Sequence, residues 1–199
     1  MKEFSDHRKT AVAQLSRPQL LVFCALTCEK MLPQYSLFSE AEAWGNANTL
    51  TNILNSVYQL AKGGKPSFGG FADELMLIAP DLDDFENALA SYALDTCCAF
   101  EAVLQYVKTD SKEHVINNSQ WAIDTVDMFV QLTEDINPRN PLLEDMIASN
   151  VHMQTEINRQ KTILAELKAI EIIDDRAIAY LKKINDEFGY LEGLEGLYS

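Results

Sequence analysis

An all-α fold, a single-domain bundle of about seven to nine helices over residues 1–199, is predicted by three features of the chain. The first is a stretch of twenty-six residues, Asp83 to Lys108, without Gly or Pro, in which Phe85, Leu89, Tyr92, Thr96, Phe100, Val103 and Val107 recur at helical spacing. Leu94, Cys98 and Ala102 make its back apolar too, so this long helix needs neighbours on most sides and is expected at the centre of a bundle. The second feature follows residue 141, where Leu143, Met146, Asn150, Met153, Ile157, Gln160, Leu164 and Leu167 fall three and four apart and predict another long helix. The third is what the chain lacks: parallel-sheet alternation, a solenoid repeat and a long linker.

The elements follow in order. Ser5 to Leu15 reads as a short amphipathic helix with Ser5 as its N-cap. Ser16-Arg17-Pro18 separates it from a helix over 18–32, because Pro suits a first helical position, and Leu20, Cys24, Thr27, Cys28 and Met31 share one face. Pro33 is expected to stop that helix, with a short one following from Tyr35 to Ala43. Trp44-Gly45-Asn46 marks a turn before a helix over 47–61 that points Leu50, Ile53, Leu54, Val57 and Leu60 inward. Gly63-Gly64-Lys65-Pro66 breaks the chain, 71–79 is weakly helical, Pro80 closes it, and Asp81 or Asp83 is placed to cap the central helix. Thr109-Asp110-Ser111 leads into a helix to about Glu134 carrying Val115, Trp121, Thr125, Met128 and Leu132. Asn137-Pro138-Arg139-Asn140-Pro141 is the sharpest break, and the helix after it is expected to run about thirty residues, roughly 45 Å at 1.5 Å per residue. A strand over Val151, Met153, Thr155 and Ile157 is the weaker reading, since helical spacing continues on both sides of it. Asp174 or Asp175 caps a last helix ending near Gly189, and 190–199 is expected to be a loosely held tail.

Composition narrows the function. With 47% hydrophobic and 23% charged residues, 199 residues suffice for a buried core without a metal or disulfide staple. Cys24, Cys28, Cys97 and Cys98 form a CxxxC and an adjacent pair, with no CxxC, which argues against a thioredoxin-like motif or a zinc ribbon and suits reduced thiols in the cytoplasm. A formal net charge of −14 weighs against nucleic acid, whose phosphates need a basic stripe. Residues 66–107 carry Asp73, Glu74, Asp81, Asp83, Asp84, Glu86, Asp95 and Glu101 and no Lys or Arg, an acidic flank that would greet a basic partner or a cation. Leu20 to Leu26 behind Lys2, Arg8, Lys9 and Arg17 imitates a signal peptide, but Glu3 and Asp6 interrupt the basic region and the apolar run is too short to span a membrane.

Sites of chemistry are sparse. Glycine-rich phosphate loops, nucleophile elbows and kinase motifs are absent, and Gly63-Gly64-Lys65 lacks the strand and helix start of a phosphate cradle. Di-iron bundles place Glu three residues before His, whereas here Phe4, Ser111 and Ser149 precede His7, His114 and His152. His152 lies one turn from Glu156 and would make half a metal site, or an ordinary surface pair. The four thiols read as core hydrophobes, with zinc ligation open only where their helices meet. Asp95 and Asp124 border the apolar arcs of their helices, so two carboxylates on neighbouring helices would share a cation or a proton, with Glu29 as a third member.

Phe23-Cys-Ala-Leu-Thr-Cys-Glu-Lys-Met-Leu-Pro-Gln-Tyr35 with Phe38 and Trp44-Gly45, Asp83-Asp84-Phe85 leading to Asp95-Thr96-Cys97, and Asn140-Pro141 together resemble the YjaG-like family of bacterial proteins, domain of unknown function 416, over roughly residues 15–190. The family pattern favours Glu-Arg-Met and Phe-Gly-Asp where this chain has Glu29-Lys30-Met31 and Trp44-Gly45-Asn46, so Lys30 loses the bidentate fork and Asn46 a carboxylate. The resemblance implies a soluble bacterial helical protein without an established activity and carries over no catalytic residue; Glu29, Tyr35, Asp95 and Cys97 are its matched candidate positions. The leading expectation is therefore a non-enzymatic cytoplasmic module that binds itself, as a homodimer, or an unknown protein partner, through the 141–171 helix or the acidic flank. The alternative is a metal- or small-molecule-binding bundle with Asp95, Asp124, Glu29 and His152 in its pocket; no cofactor motif is present, and a divalent metal is the ligand class left open.

Overall fold

In the computed structural model, which describes residues 2–134, 136, 137, 139–191 and 194, helices alone form the regular structure of the described residues. They are α1 (Lys2–Gln14), α2 (Arg17–Ala41), α3 (Ala47–Ala61), α4 (Phe71–Ile78), α5 (Leu89–Thr109), α6 (Lys112–Thr133), α7 (Leu143–Ser149), α8 (Val151–Ala169) and α9 (Asp175–Asp186). No helix among them is long and apolar enough to cross a membrane.

The centre is shared by two helices. α5 packs on α2, α4 and α6 as its two-sided apolar pattern requires, but α2 touches α3, α5, α6, α8 and α9 and buries Leu20 through Cys28 without a gap. Pro33 does not stop α2, contrary to the sequence expectation. Pro33 is exposed, and Gln34, Tyr35 and Phe38 beyond it are buried. Continuing the helix buries two aromatic rings, which offsets the roughly 3 kcal/mol that an interior proline costs. The predicted short helix from Tyr35 is thus the end of α2.

Three other boundaries differ from expectation. α1 starts before Ser5, which is half-buried inside it. α5 starts at Leu89, later than Asp83, because Asp81 is spent on a turn, accepting from the Asp83 amide at 3.1 Å, while Asn87 Oδ1 accepts from the Leu89 amide at 2.9 Å. The thirty-residue helix is divided at Asn150, whose ψ of 144° is extended. Its side chain accepts from the His152 amide at 2.9 Å and opens α8, while its own amide closes α7 on Ile147 O. Ala47–Ala61 and the Asp174 cap, whose Oδ1 accepts from the Ala177 amide at 2.8 Å, agree with the sequence reading. Of the predicted loose tail, Leu191 and Leu194 are buried, and 192, 193 and 195–199 lie outside the described residues.

Cys24, Cys28 and Cys97 are buried free thiols, Cys98 is half-buried, and burial raises all four, so they pack as small hydrophobes.

Candidate functional site

α5 and α6 lie side by side, and this brings Asp95 and Asp124 into each other's field. Burial pushes the Asp95 carboxyl up to about 6; the hydrogen bond from Thr125 opposes that rise and the charge of Asp124 adds to it. Thr125 Oγ lies 2.9 Å from Asp95 Oδ2 and 2.8 Å from Trp121 O. A hydroxyl has one hydrogen for these two acceptors, so when it points to Trp121 O, a protonated Asp95 completes the set by donating to Thr125. Asp124 is raised too, by partial desolvation, with Gln120 and Arg8 pulling it down and Asp127 pushing it up. Asp95 therefore takes up its proton at a higher pH than an ordinary carboxyl does.

Asp124 also borders a cleft of about 480 Å³ at the end of α6, lined further by Asp127, Met128, Gln131, Leu132 and Ile136. Arg8 of α1 is 2% exposed, stacks over Phe4 at 5.3 Å and donates to Gln120 Oε1 at 2.5 Å. Gln120 passes the contact on, donating to Asp124 Oδ1 at 2.7 Å.

The strongest polar cluster was not singled out by sequence reasoning. Glu156 and Arg159, one turn apart on α8, are 1% and 0% exposed and pair through two bonds of 2.6 Å. Gln160 donates to Glu156 Oε1 at 2.7 Å and to Ser119 O at 2.9 Å, which ties α8 to α6. Arg159 Nη1 donates to Asn185 Oδ1 at 2.9 Å, and Asn185 Nδ2 donates to Leu26 O at 3.2 Å, which brings in α9 and α2. Burial works against the Arg159 charge, and Glu156 overcomes it, holding the guanidinium above its ordinary range. The available signal was the spacing of Glu156, Arg159 and Ile163, on the same arc as Met153 and Gln160.

The other candidates have structural occupations. Glu29 accepts from Tyr58 at 2.8 Å and pairs with Lys182, whose ammonium lies 4.4 Å from the Tyr58 ring centroid, and so joins α2, α3 and α9. Tyr35 donates to Ile78 O at 2.9 Å and accepts from the Asn46 amide at 3.2 Å; burial pushes its phenol up to about 12. Gly45, at φ +78°, passes so close to that phenol that a Cβ would collide with it. Cys97 Sγ is 3.9 Å from the same Ile78 carbonyl, and His152 packs edge-on to Phe129 with ring centroids 5.0 Å apart.

A cleft of about 340 Å³ gathers Cys98, Glu101, Gln105, His114, Asn117 and Trp121. Burial, with Asp95 and Glu101, pushes the Cys98 thiol up to about 11, so it stays protonated at neutral pH and is a poor nucleophile there. Among the described residues, no group of three or more His, Cys, Asp or Glu is placed to hold a metal ion.

The chain is similar to proteins that themselves carry no assigned activity. An uncharacterised protein of Haemophilus influenzae is 30% identical over 168 residues, covering 82% of this chain and 84% of that protein. The uncharacterised protein YjaG of Escherichia coli is 26% identical over 135 residues, covering 63% and 69%. In fold the molecule is similar to the crystal structure of a DUF416 family protein from Shewanella baltica, with a TM-score of 0.81 over 89% of this chain and 92% of that one at 24% identity. The pattern of the family described as "Protein of unknown function (DUF416)" matches residues 7–190, and the chain therefore belongs to that family.

Proposed function

We propose that this chain is a non-enzymatic interaction module of the cytoplasm that self-associates through the surface formed by the end of α6, α7 and the start of α8. The observation that carries this reading is a group of large apolar side chains left in water there: Val151 is 69% exposed and Leu142 59%, with Leu132 and Met146 beside them. Leu142 caps α7, Met146 follows one turn on, and Val151 opens α8 directly after Asn150, whose Nδ2 reaches Glu134 Oε1 at 3.4 Å and so brings the end of α6 to the same junction. Scattered apolar residues are ordinary on a surface, whereas a connected group beside a cleft marks an interface. A two-fold interface uses the same patch on both copies, so one patch and one receptacle, the cleft at Met128, Leu132 and Ile136, suffice. Engagement of Glu29, Tyr35, Cys97 and His152 in packing contacts further supports a binding rather than a chemical role.

Native mass spectrometry and sedimentation equilibrium of the full chain test the reading. We expect a dimer in the micromolar range and a monomer for the Leu142→Asp, Val151→Asp double variant, with unchanged helix content. A wild-type chain that stays monomeric up to about 200 μM, well above that range, overturns it.

A further inference from the structure

A second surface points away from self-association. α4 has eight residues and fastens itself with Leu75 and Ile78, both buried, against α3 and α5. Phe71 is half-buried against the core, but Met76 and Leu77 face water, each 78% exposed, and Leu82, just after the helix, is 45% exposed. The acids that flank them in the sequence are exposed as well, with Asp73 and Glu74 in the first turn and Asp81, Asp83, Asp84 and Glu86 after Pro80. Nothing of opposite sign lies nearby in sequence, because no Lys or Arg occurs between Lys65 and Lys108 and α3 carries no charged residue at all. The end of α2 adds to the same charge, as Asn87 holds Glu42 Oε1 at 3.0 Å and Phe85 packs on Phe38 and Trp44.

We infer that this face docks a basic amphipathic helix of a partner protein, with Met76, Leu77 and Leu82 receiving its apolar stripe and the six acids beside them in the sequence pairing with flanking Lys and Arg. The charge pattern selects this occupant. A second copy would set the same acids against each other in a chain of net charge −14, and an anionic lipid surface would be repelled. A helix with apolar residues three and four apart and cationic flanks satisfies both halves of the surface, and the unbranched thioether of Met76 adapts to the shape of what it meets. This inference is independent of the α6–α8 surface.

The test uses the full chain and a fluorescent synthetic helix of about eighteen residues with a Leu stripe flanked by Lys and Arg, long enough for about five turns. Binding is followed by anisotropy at low and high salt. An acidic chain attracts any cationic peptide, so the deciding variant is Met76→Ser with Leu77→Ser, which leaves every charge in place and alters only exposed side chains. We expect micromolar binding that weakens at least about tenfold in this variant, weakens at high salt, and is lost when Ser replaces the Leu stripe of the peptide. Binding should persist in the Leu142→Asp, Val151→Asp variant, which separates this surface from the self-associating one. Equal binding by the Met76→Ser, Leu77→Ser variant, an undiminished signal from the Ser-striped peptide, tighter binding to anionic vesicles, or no binding at about 100 μM would each overturn the inference.

Discussion

At the scale of the residue, the half-buried Asp95 and the buried Glu156 differ in their surroundings and should respond differently to removal. Asp95 has a folded value of about 6 against an ordinary 3.8, so the folded state holds its proton more tightly than the unfolded one. Stability from this group is therefore present at low pH and lost as pH rises from about 4 through 6. Asp95→Asn removes the charge and keeps an oxygen for Thr125. It should raise stability by about 1–3 kcal/mol at pH 7.5 and by almost nothing at pH 4, as read from urea midpoints at the two pH values. Glu156 is the opposite case, because its charge is matched by Arg159 with Gln160 as a further donor. Glu156→Gln strands a buried guanidinium and should cost about 3–5 kcal/mol, while Glu156→Gln combined with Arg159→Met recovers most of that loss in the same urea titration. Asp95 was legible in the sequence because it borders an apolar arc. Glu156 was read only as a surface or metal-site partner of His152 and Arg159 not at all, because hydropathy sorts charged residues to the outside and cannot see that each is the other's counterion.

At the scale of the element, local rules set the boundaries wherever burial did not overrule them. α3 lies over the expected residues because Asn46 caps it, accepting from the Asn48 amide at 3.1 Å, and five inward positions recur without competition. Asn and Asp are near-equal caps, so Asn46 leaves this helix end satisfied. α2 outran its proline because its apolar face continues beyond it. α5 began late because acids at 81–84 turned the chain before it could coil. The division at Asn150 has the same origin as the success of α3, a capping side chain with an amide to satisfy, placed where a heptad-like stripe disguised it. Asn150→Ala should cost about 1 kcal/mol and fray the start of α8, with fast hydrogen exchange confined to its first turn, whereas Asn150→Ser keeps the cap and most of the stability.

At the scale of the whole molecule, net charge sets the two proposed interfaces against each other. Two copies at −14 repel, so raising NaCl from about 50 to about 500 mM should tighten the dimer, while the same salt loosens a basic helix on α4. Sedimentation and anisotropy on one salt series therefore read opposite slopes. All-helical architecture and the central place of α5 followed from periodicity alone, whereas the sharing of that centre with α2 depends on how five other helices close around it, which spacing does not encode. The ion pair of α8 has a bearing on how the molecule comes to be folded. Glu156 and Arg159 are three residues apart, so their contact needs one helical turn rather than a finished bundle. α8 can present a neutral, internally paired side to α6 and α9 as soon as it coils, and the chain never has to dehydrate two separate charges brought from distant parts of the sequence. The ion pair itself is set on the timescale of a local helix–coil step, and only the bonds to Ser119 O and Asn185 wait for the long-range search.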